Sequence, residues 1–405
     1  MSQYVFADGV IHDDLGEGFQ EALAEAHRHK QRPGCMCRSP AVDMYVAKAG
    51  GKYWIKRMPG TGQKHSAVCS SYEAPPELSG RAEVNGGAIK HEPETGMNRL
   101  RCEFALARGA TRGPVAAPAG GGEAPPNSVK AEANRLTLLG LLHYLWDEAG
   151  LTRWQPGFAN KRSWGVVRRL LEGAAAGADV RGGRLARILY MPEVFDKDAR
   201  SAQEARRIDF FGGFKRPQSS ALMLTVGEAK AFEKLDRAGG GYRLTIKHAP
   251  SVAFMMSPDL GGRFAKRYMP LMSAWGADET TRLVVAFTSE VDAAGVPNVQ
   301  EIAIMNTLHD WLPFDNEREK LLLGTLLQQG RAFIKTLRYN YRMGHPMASA
   351  ILTDVDADGV ALFLPPADPA ARAPWETVMA AHSGPTWEWS EGEVPAFPAR
   401  PPAAR

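Results

Sequence analysis

The stretch Cys35-Met36-Cys37, closed further on by His65-Ser66-Ala67-Val68-Cys69, brackets two alternating segments. These are Asp43-Met44-Tyr45-Val46-Ala47-Lys48 and Lys52-Tyr53-Trp54-Ile55-Lys56-Arg57, joined by Ala49-Gly50-Gly51. Period-2 alternation broken by Gly-Gly is the pattern of a β-hairpin. A hairpin returns the chain on itself, so it carries His65 and Cys69 back toward Cys35 and Cys37. Three thiolates and one imidazole complete a tetrahedral Zn2+ shell and leave no position for water. The spacing therefore predicts a closed, structural zinc site. If the second half is helical, His65 and Cys69 at i and i+4 share one face. The plainer reading is a set of buried free cysteines. Cys102 is an extra, either a core residue or a substitute fourth ligand, and His29 and His91 are weaker substitutes.

Upstream, Asp13 and Asp14 precede Leu15, Phe19, Ala22, Leu23 and Ala26, the spacing of an amphipathic helix that ends in His27-Arg28-His29-Lys30. Downstream, residues 87–90 and 98–104 form a second strand-like pair around Gly96. Residues 1–107 thus read as a helix plus zinc hairpin unit, which a metal would help hold together. Residues 108–128 are rich in Gly, Ala and Pro and read as a flexible linker.

Residues 129–180 read as a helical module. Leu136, Leu139, Leu142, Leu145 and Trp146 lie along one helix, and Ser163 can cap a second. Lys161, Arg162, Arg168 and Arg169 would fit a phosphate-contacting face, although a solvated helix face looks the same. Residues 184–364 alternate apolar strands with helices. Strands are expected at 185–191, 221–226, 241–247, 282–288, 301–305, 350–353 and 360–364, with helices over 264–275 and after Asp315 or Asn316. The fold class is α+β or α/β, multidomain, with a mixed sheet in the C-terminal region. A Pro/Ala-rich tail, 365–405, offers Trp375, Trp387 and Trp389 as docking points.

The chain has 405 residues, 44% apolar and 23% charged, a globular balance. A net charge of +4 is only a slight pointer to a polyanionic partner. Four cysteines in such a length argue against a secreted disulfide scaffold. No signal-peptide pattern and no long apolar run is present, so the expected setting is cytoplasmic, without a membrane.

Three further patterns bear on chemistry. Gly227-Glu228-Ala229-Lys230 ends an apolar strand with the ExK of restriction-type nucleases; with Asp196 as a second acid it could hold Mg2+. A strand-to-helix junction explains it equally well. Asp354, Asp356 and Asp358 resemble a calcium loop, but the twelfth position is Pro365 rather than Glu, and an acidic turn suffices. Lys335, Arg338 and Arg342 interleave with Phe333, Tyr339 and Tyr341, as cations and aromatics do on single-stranded nucleic-acid surfaces. An amphipathic strand would look the same. Phosphate-loop, HExxH, GxSxG and dinucleotide fingerprints are missing.

The chain resembles the DUF1173 family, bacterial proteins of unknown function often encoded on plasmids and integrative elements. The resemblance rests on Cys35-Met36-Cys37, on Lys56 to Gly62 with His65 and Cys69, and on Leu142 to Trp146 through Trp154. Lys161-Arg162-Ser163-Trp164, Gly227 to Lys230, Gly330 to Lys335 and Leu337-Arg338-Tyr339 complete it. The family supplies no activity; its setting implies DNA transactions and partners encoded on mobile elements. The resulting expectation is a zinc-containing, DNA-binding accessory protein, with catalysis left open. The alternatives are a metal-dependent nuclease using Asp196, Glu228 and Lys230, and a non-catalytic scaffold.

Overall fold

The computed structural model describes residues 2–49, 51–58, 60–92, 95–109, 134–217, 219–236 and 239–401. The expected linker lies outside the described residues from position 110 onward. The fold is mixed α+β, with four sheets among the described residues.

The first sheet runs in the order Ile11–Asp13, Gln3–Val5, Gly34–Cys35, Val42–Ala49, Lys52–Arg57. Its last two strands are the expected hairpin, paired from Ala49↔Lys52 to Met44↔Arg57. Alternation decides which face is wet: Lys52, Trp54 and Lys56 point outward, and Tyr53, Ile55 and Arg57 are half-buried. Helix Phe19–Arg28 lays Phe19, Leu23 and Ala26 against Tyr4, Phe6 and Met44. It starts after Gly18, not at Asp13 and Asp14, because Asp13 belongs to a strand and Leu15 is exposed.

The second strand-like pair also forms, as Ile89–Glu92 and Met97–Leu100. It does not join the first sheet. Met97–Leu100 pairs instead with Ala178–Val180, which follows helix Trp164–Ala176.

Five strands close into a ring. Met223–Lys234 pairs through residues 223–228 with Arg282–Val291, and through residues 229–234 with Tyr242–Ile246. Phe254–Met256 and Pro297–Thr307 complete the circuit. A ring leaves few edge groups unpaired. Leu283, Val285 and Phe287 enter one core with helix Pro258–Ala277, while Val284 and Ala286 enter another. The second core also holds helices Leu138–Glu148 and Trp164–Ala176. Burial on both faces is why residues 282–288 read as a nearly unbroken apolar run.

The last sheet runs Thr386–Glu388, Val360–Phe363, Ala350–Leu352, Phe333–Lys335, Arg153–Trp154. Thr137, Ser163 and Asn316 cap their helices by accepting from backbone N–H groups three residues on. Among the elements without an expectation are strand Phe254–Met256 and helices Arg200–Gly212 and Pro369–Ala381. The first helix shows no apolar stripe, and the second has only a short one, Trp375, Val378 and Met379, partly buried against Leu78 and Phe363. The first buries only Phe211 fully, and the second buries no residue fully. At 185–191 a single turn, Leu185–Arg187, precedes the two-residue strand Leu189–Tyr190.

A partly buried polar network ties these layers together. Arg81 donates to Asp147 (2.6 Å) and Glu148 (2.6 Å), and the Tyr339 hydroxyl donates to Asp147 (2.9 Å). The Tyr339 N–H donates to Nδ1 of His143 (3.0 Å). Burial pushes the His143 imidazole down to about 3. The unfolded chain therefore takes up a proton near pH 6.5 that the folded chain refuses, and stability is lost as pH falls from there toward the folded value. In urea titrations between about pH 6 and pH 4, wild type should lose up to about 1.4 kcal/mol per pH unit more than His143→Gln. Parallel pH curves for the two proteins would contradict this.

Candidate metal centre

The hairpin brings Cys35, Cys37, His65 and Cys69 together. Their donor atoms all lie within 4.8 Å of one another. Cys35 Sγ and Cys69 Sγ are 3.7 Å apart, Cys37 Sγ and His65 Nδ1 3.3 Å, and Cys69 Sγ and His65 Nδ1 3.8 Å. A tetrahedral zinc shell, with arms of about 2.3 Å to sulfur and about 2.0 Å to nitrogen, has S···S edges of about 3.8 Å and S···N edges of about 3.5 Å. The observed separations match those edges. They are far too long for a disulfide, whose sulfurs sit about 2.05 Å apart. The donor set suits zinc and supplies it from all four corners, so a bound ion would act structurally.

Each ligand is positioned by local backbone. Cys35 sits in a two-residue strand opposite Tyr4 and Val42. His65 ends a short turn, Gly62–Lys64, and the Cys69 N–H donates to the Ser66 carbonyl. The segment is thus a tight loop, and turns rather than a helical face bring His65 and Cys69 together. Backbone N–H groups aim at the sulfurs: Ser66 at Cys37 (3.4 Å) and Ser71 at Cys69 (3.4 Å). Such donors favour thiolate. The hydrogen bond from the Cys35 thiol, helped by Ser71, draws Cys69 down to about 5, and the same hydrogen bond with burial pushes Cys35 up. Burial raises Cys37 and lowers His65. His65 is fully buried, and its Nε2 has no hydrogen-bond partner among the described residues. A metal on Nδ1 would leave the ring proton on Nε2.

The metal loop is docked on the far end of the chain. The Ala67 N–H donates to the Ala357 carbonyl (2.8 Å), and Arg38 donates to Ala357 and Asp358. The Tyr72 hydroxyl reaches the Asp358 carbonyl (3.3 Å). Gly359 has φ +76, and a Cβ there would sit 2.8 Å from the Leu352 carbonyl and 3.3 Å from the Ala67 Cβ. The acidic turn is therefore structural. Asp354 binds Arg331, Arg400 and the Ala332 N–H, and Asp356 accepts from the Asp358 and Gly359 N–H groups.

The substitute ligands lie elsewhere. Burial pushes the Cys102 thiol up to about 12, His29 pairs with Glu25, and His91 Nδ1 contacts Asn98. The ExK residues are separated by their surroundings. Glu228 is buried and held by Lys247 (2.5 Å) and Arg282 (3.2 Å), while Lys230 is exposed at a register irregularity. Asp196 accepts from the Asp198 and Ala199 N–H groups at the start of helix Arg200–Gly212.

The expected phosphate-contacting cations divide. Lys161, Arg169 and Arg342 are exposed. Arg162 donates to the Leu151 carbonyl and lies over Trp154 and Phe158, and Arg168 pairs with Glu172. Arg338 pairs with Asp315 (3.0 Å), and Lys335 is buried against Glu319 (2.8 Å). Beside the metal loop the structure adds an 840 Å3 cleft lined by Tyr45, Lys56, Arg57, Arg81, Lys90 and Ser71, among others. A hollow of 240 Å3 shares Arg57 and Arg81 with it. Arg57 and Arg81 had no place in the sequence reading as lining residues. The nearest signal was the hairpin alternation, whose period of two could have placed Lys56 on one face with Lys52 and Trp54.

This is a mixed α+β protein with a buried Cys3His metal-ligand cluster. The chain belongs to the DUF1173 family: the model of that family, a protein of unknown function, matches residues 7–392. No curated protein and no solved structure matches the chain. No helix among the described residues is long and apolar enough to cross a membrane.

Two outcomes follow from these placements. Cobalt-substituted protein should show thiolate charge-transfer and tetrahedral ligand-field bands at one ion per chain. Cys37→Ser should abolish them and cost several kcal/mol of stability, while Cys102→Ser leaves the spectrum intact. Lys335→Met strands a buried carboxylate and should cost about 3–5 kcal/mol in urea unfolding. A surface contact residue would instead lose less than about 1 kcal/mol.

Proposed function

We propose that the protein is a zinc-clamped accessory factor that binds nucleic acid, DNA in particular, in the cleft beside the metal loop. The observation behind this reading is the lining of that cleft. Lys56, Arg57, Arg81 and Lys90 border one space with Tyr45. Trp54, 52% exposed, lies on the same outward strand face as Lys56. Cations that track phosphates and aromatics that stack on bases are the two parts of a single-strand surface. Glu73 pairs with Arg57 and Arg81, which fixes those guanidiniums, while Lys56 and Lys90 remain exposed. The plasmid and integrative-element setting implied by the resemblance agrees with DNA as the polymer. Lys161, Arg169 and Arg342, the exposed cations of the sequence reading, are secondary contact candidates.

Zinc enters this reading as a wall of the cleft. Ser70 and Ser71 follow the ligand Cys69 directly and line the same space, and Arg57 donates to the Ser71 carbonyl (3.1 Å). Loss of the metal would slacken that wall.

Fluorescence anisotropy with labelled single- and double-stranded oligonucleotides tests the proposal. Affinity should fall with salt, with a log–log slope of about −2 for three phosphates on a single strand. The pair Lys56→Glu and Lys90→Glu should weaken binding by about tenfold or more, and chelation of the metal should weaken it as well. Lys161→Glu with Arg169→Glu should matter less. No binding at low salt would sink the proposal.

A further inference from the structure

A second cavity lies apart from the metal-loop cleft and shares no lining residue with it. It encloses 470 Å3 between helices Trp164–Ala176 and Arg200–Gly212, the strand Leu189–Tyr190 and the loop at 248–251. Four guanidiniums border it: Arg168, Arg200, Arg206 and Arg207. Three are held in place by carboxylates. Arg168 pairs with Glu172 (2.7 Å), Arg206 with Glu193 (2.6 Å) and Arg207 with Glu204 (3.4 Å). Arg200 alone of the four has no carboxylate partner among the described residues. Fixed arginine forks match the oxygens of a phosphate, and one fork without a carboxylate leaves charge for a ligand to neutralise.

The remaining wall is aromatic. Tyr190 and Phe210 meet at 5.8 Å, and Phe195 lines the cavity while staying 50% exposed. The lining sets four guanidiniums against three glutamates, and the large apolar ring left wet beside them gains from a planar partner. His248 completes the site. It holds φ +65, a backbone region that a non-glycine residue enters at a cost and that recurs at ligand sites. Its ring stacks on Trp164, and its Nδ1 accepts from the Phe195 N–H (3.2 Å). The neutral ring then carries its proton on Nε2 and keeps a donor. The same hydrogen bond ties His248 to the residue that presents the exposed ring.

We propose that this cavity binds a nucleoside phosphate, with the arginines on the phosphate and Phe195 against the base. The 470 Å3 volume falls in the range of small-molecule sites, roughly 300–1,000 Å3, and is about half that of the metal-loop cleft. The site is independent of the nucleic-acid cleft, and either can fail without the other.

Isothermal titration of the full, zinc-loaded chain with AMP, ATP and inorganic phosphate decides the matter. AMP or ATP should bind in the micromolar to sub-millimolar range, with phosphate about tenfold weaker or more. Arg200→Glu with Arg206→Glu, both on exposed positions, should weaken nucleotide binding by about tenfold or more. Phe195→Ala should weaken AMP and leave phosphate unchanged; Phe195→Leu, which keeps apolar volume, should do the same. AMP should not displace a labelled oligonucleotide. No nucleotide binding at millimolar concentration overturns the proposal. So does binding that ignores the arginine pair, or equal affinity for AMP and phosphate.

Discussion

Arg81 is a largely buried cation, its side chain 18% exposed, and a cation so far withdrawn from water must be paired or the fold loses stability. Its partners are Asp147 and Glu148 at the end of helix Leu138–Glu148, with Glu73 further off at 3.8 Å. Asp147 in turn takes the Tyr339 hydroxyl and the Thr152 hydroxyl. One ion pair therefore fixes an N-terminal turn, a central helix and the approach to the last sheet. The interaction is weak evidence for net stability, since desolvation offsets most of its Coulomb gain. Its effect is on position: three segments far apart in sequence must meet at one place, and the cleft beside the metal loop opens directly above them, with Arg81 and Glu148 in its lining.

The parts of this arrangement differ in how much the sequence reveals. The hairpin and its four ligands were readable because period 2 and a Gly-Gly turn are local, and because four soft donors so spaced have few other uses. Most central strands were readable for the same reason: residues 282–288 and 301–305 are apolar runs buried on both faces. The ring closure was not readable. It depends on Met223–Lys234 changing partners midway, at a register irregularity next to Lys230. Helix Arg200–Gly212 was hidden because a charged helix with one fully buried residue has no stripe to detect.

Cations were the least legible feature. Lys335, Arg338 and Arg342 alternate with aromatics, a surface pattern by spacing alone. In the fold, Lys335 meets Glu319 and Arg338 meets Asp315, and those carboxylates flank the start of a helix some 20 positions away in the chain. Spacing records which face a residue shares with its neighbours. It does not record which carboxylate lies across the core. The same limit hid Arg57 and Arg81, whose shared partner Glu73 comes from a loop.

The metal site has a physical reason to sit where it does. The first sheet and its helix enclose a small core, built from residues such as Tyr4, Leu23 and Met44, and small cores are marginal by themselves. Two constraints compensate. The Cys3His cluster would cross-link the two ends of the hairpin, and the loop that holds it is pinned to Ala357 and Asp358 at the opposite end of the chain. Ile334 of the last sheet joins the same core as Cys35 and Cys69. Metal binding at the cluster would thus be coupled to this docking. A zinc-free loop that lost its turn geometry would also lose the Ala67 contact, and Ser70 and Ser71 would leave the cleft wall with it. Coordination from all four corners would deny a bound ion a substrate position and would let it hold the edge of the proposed binding cleft.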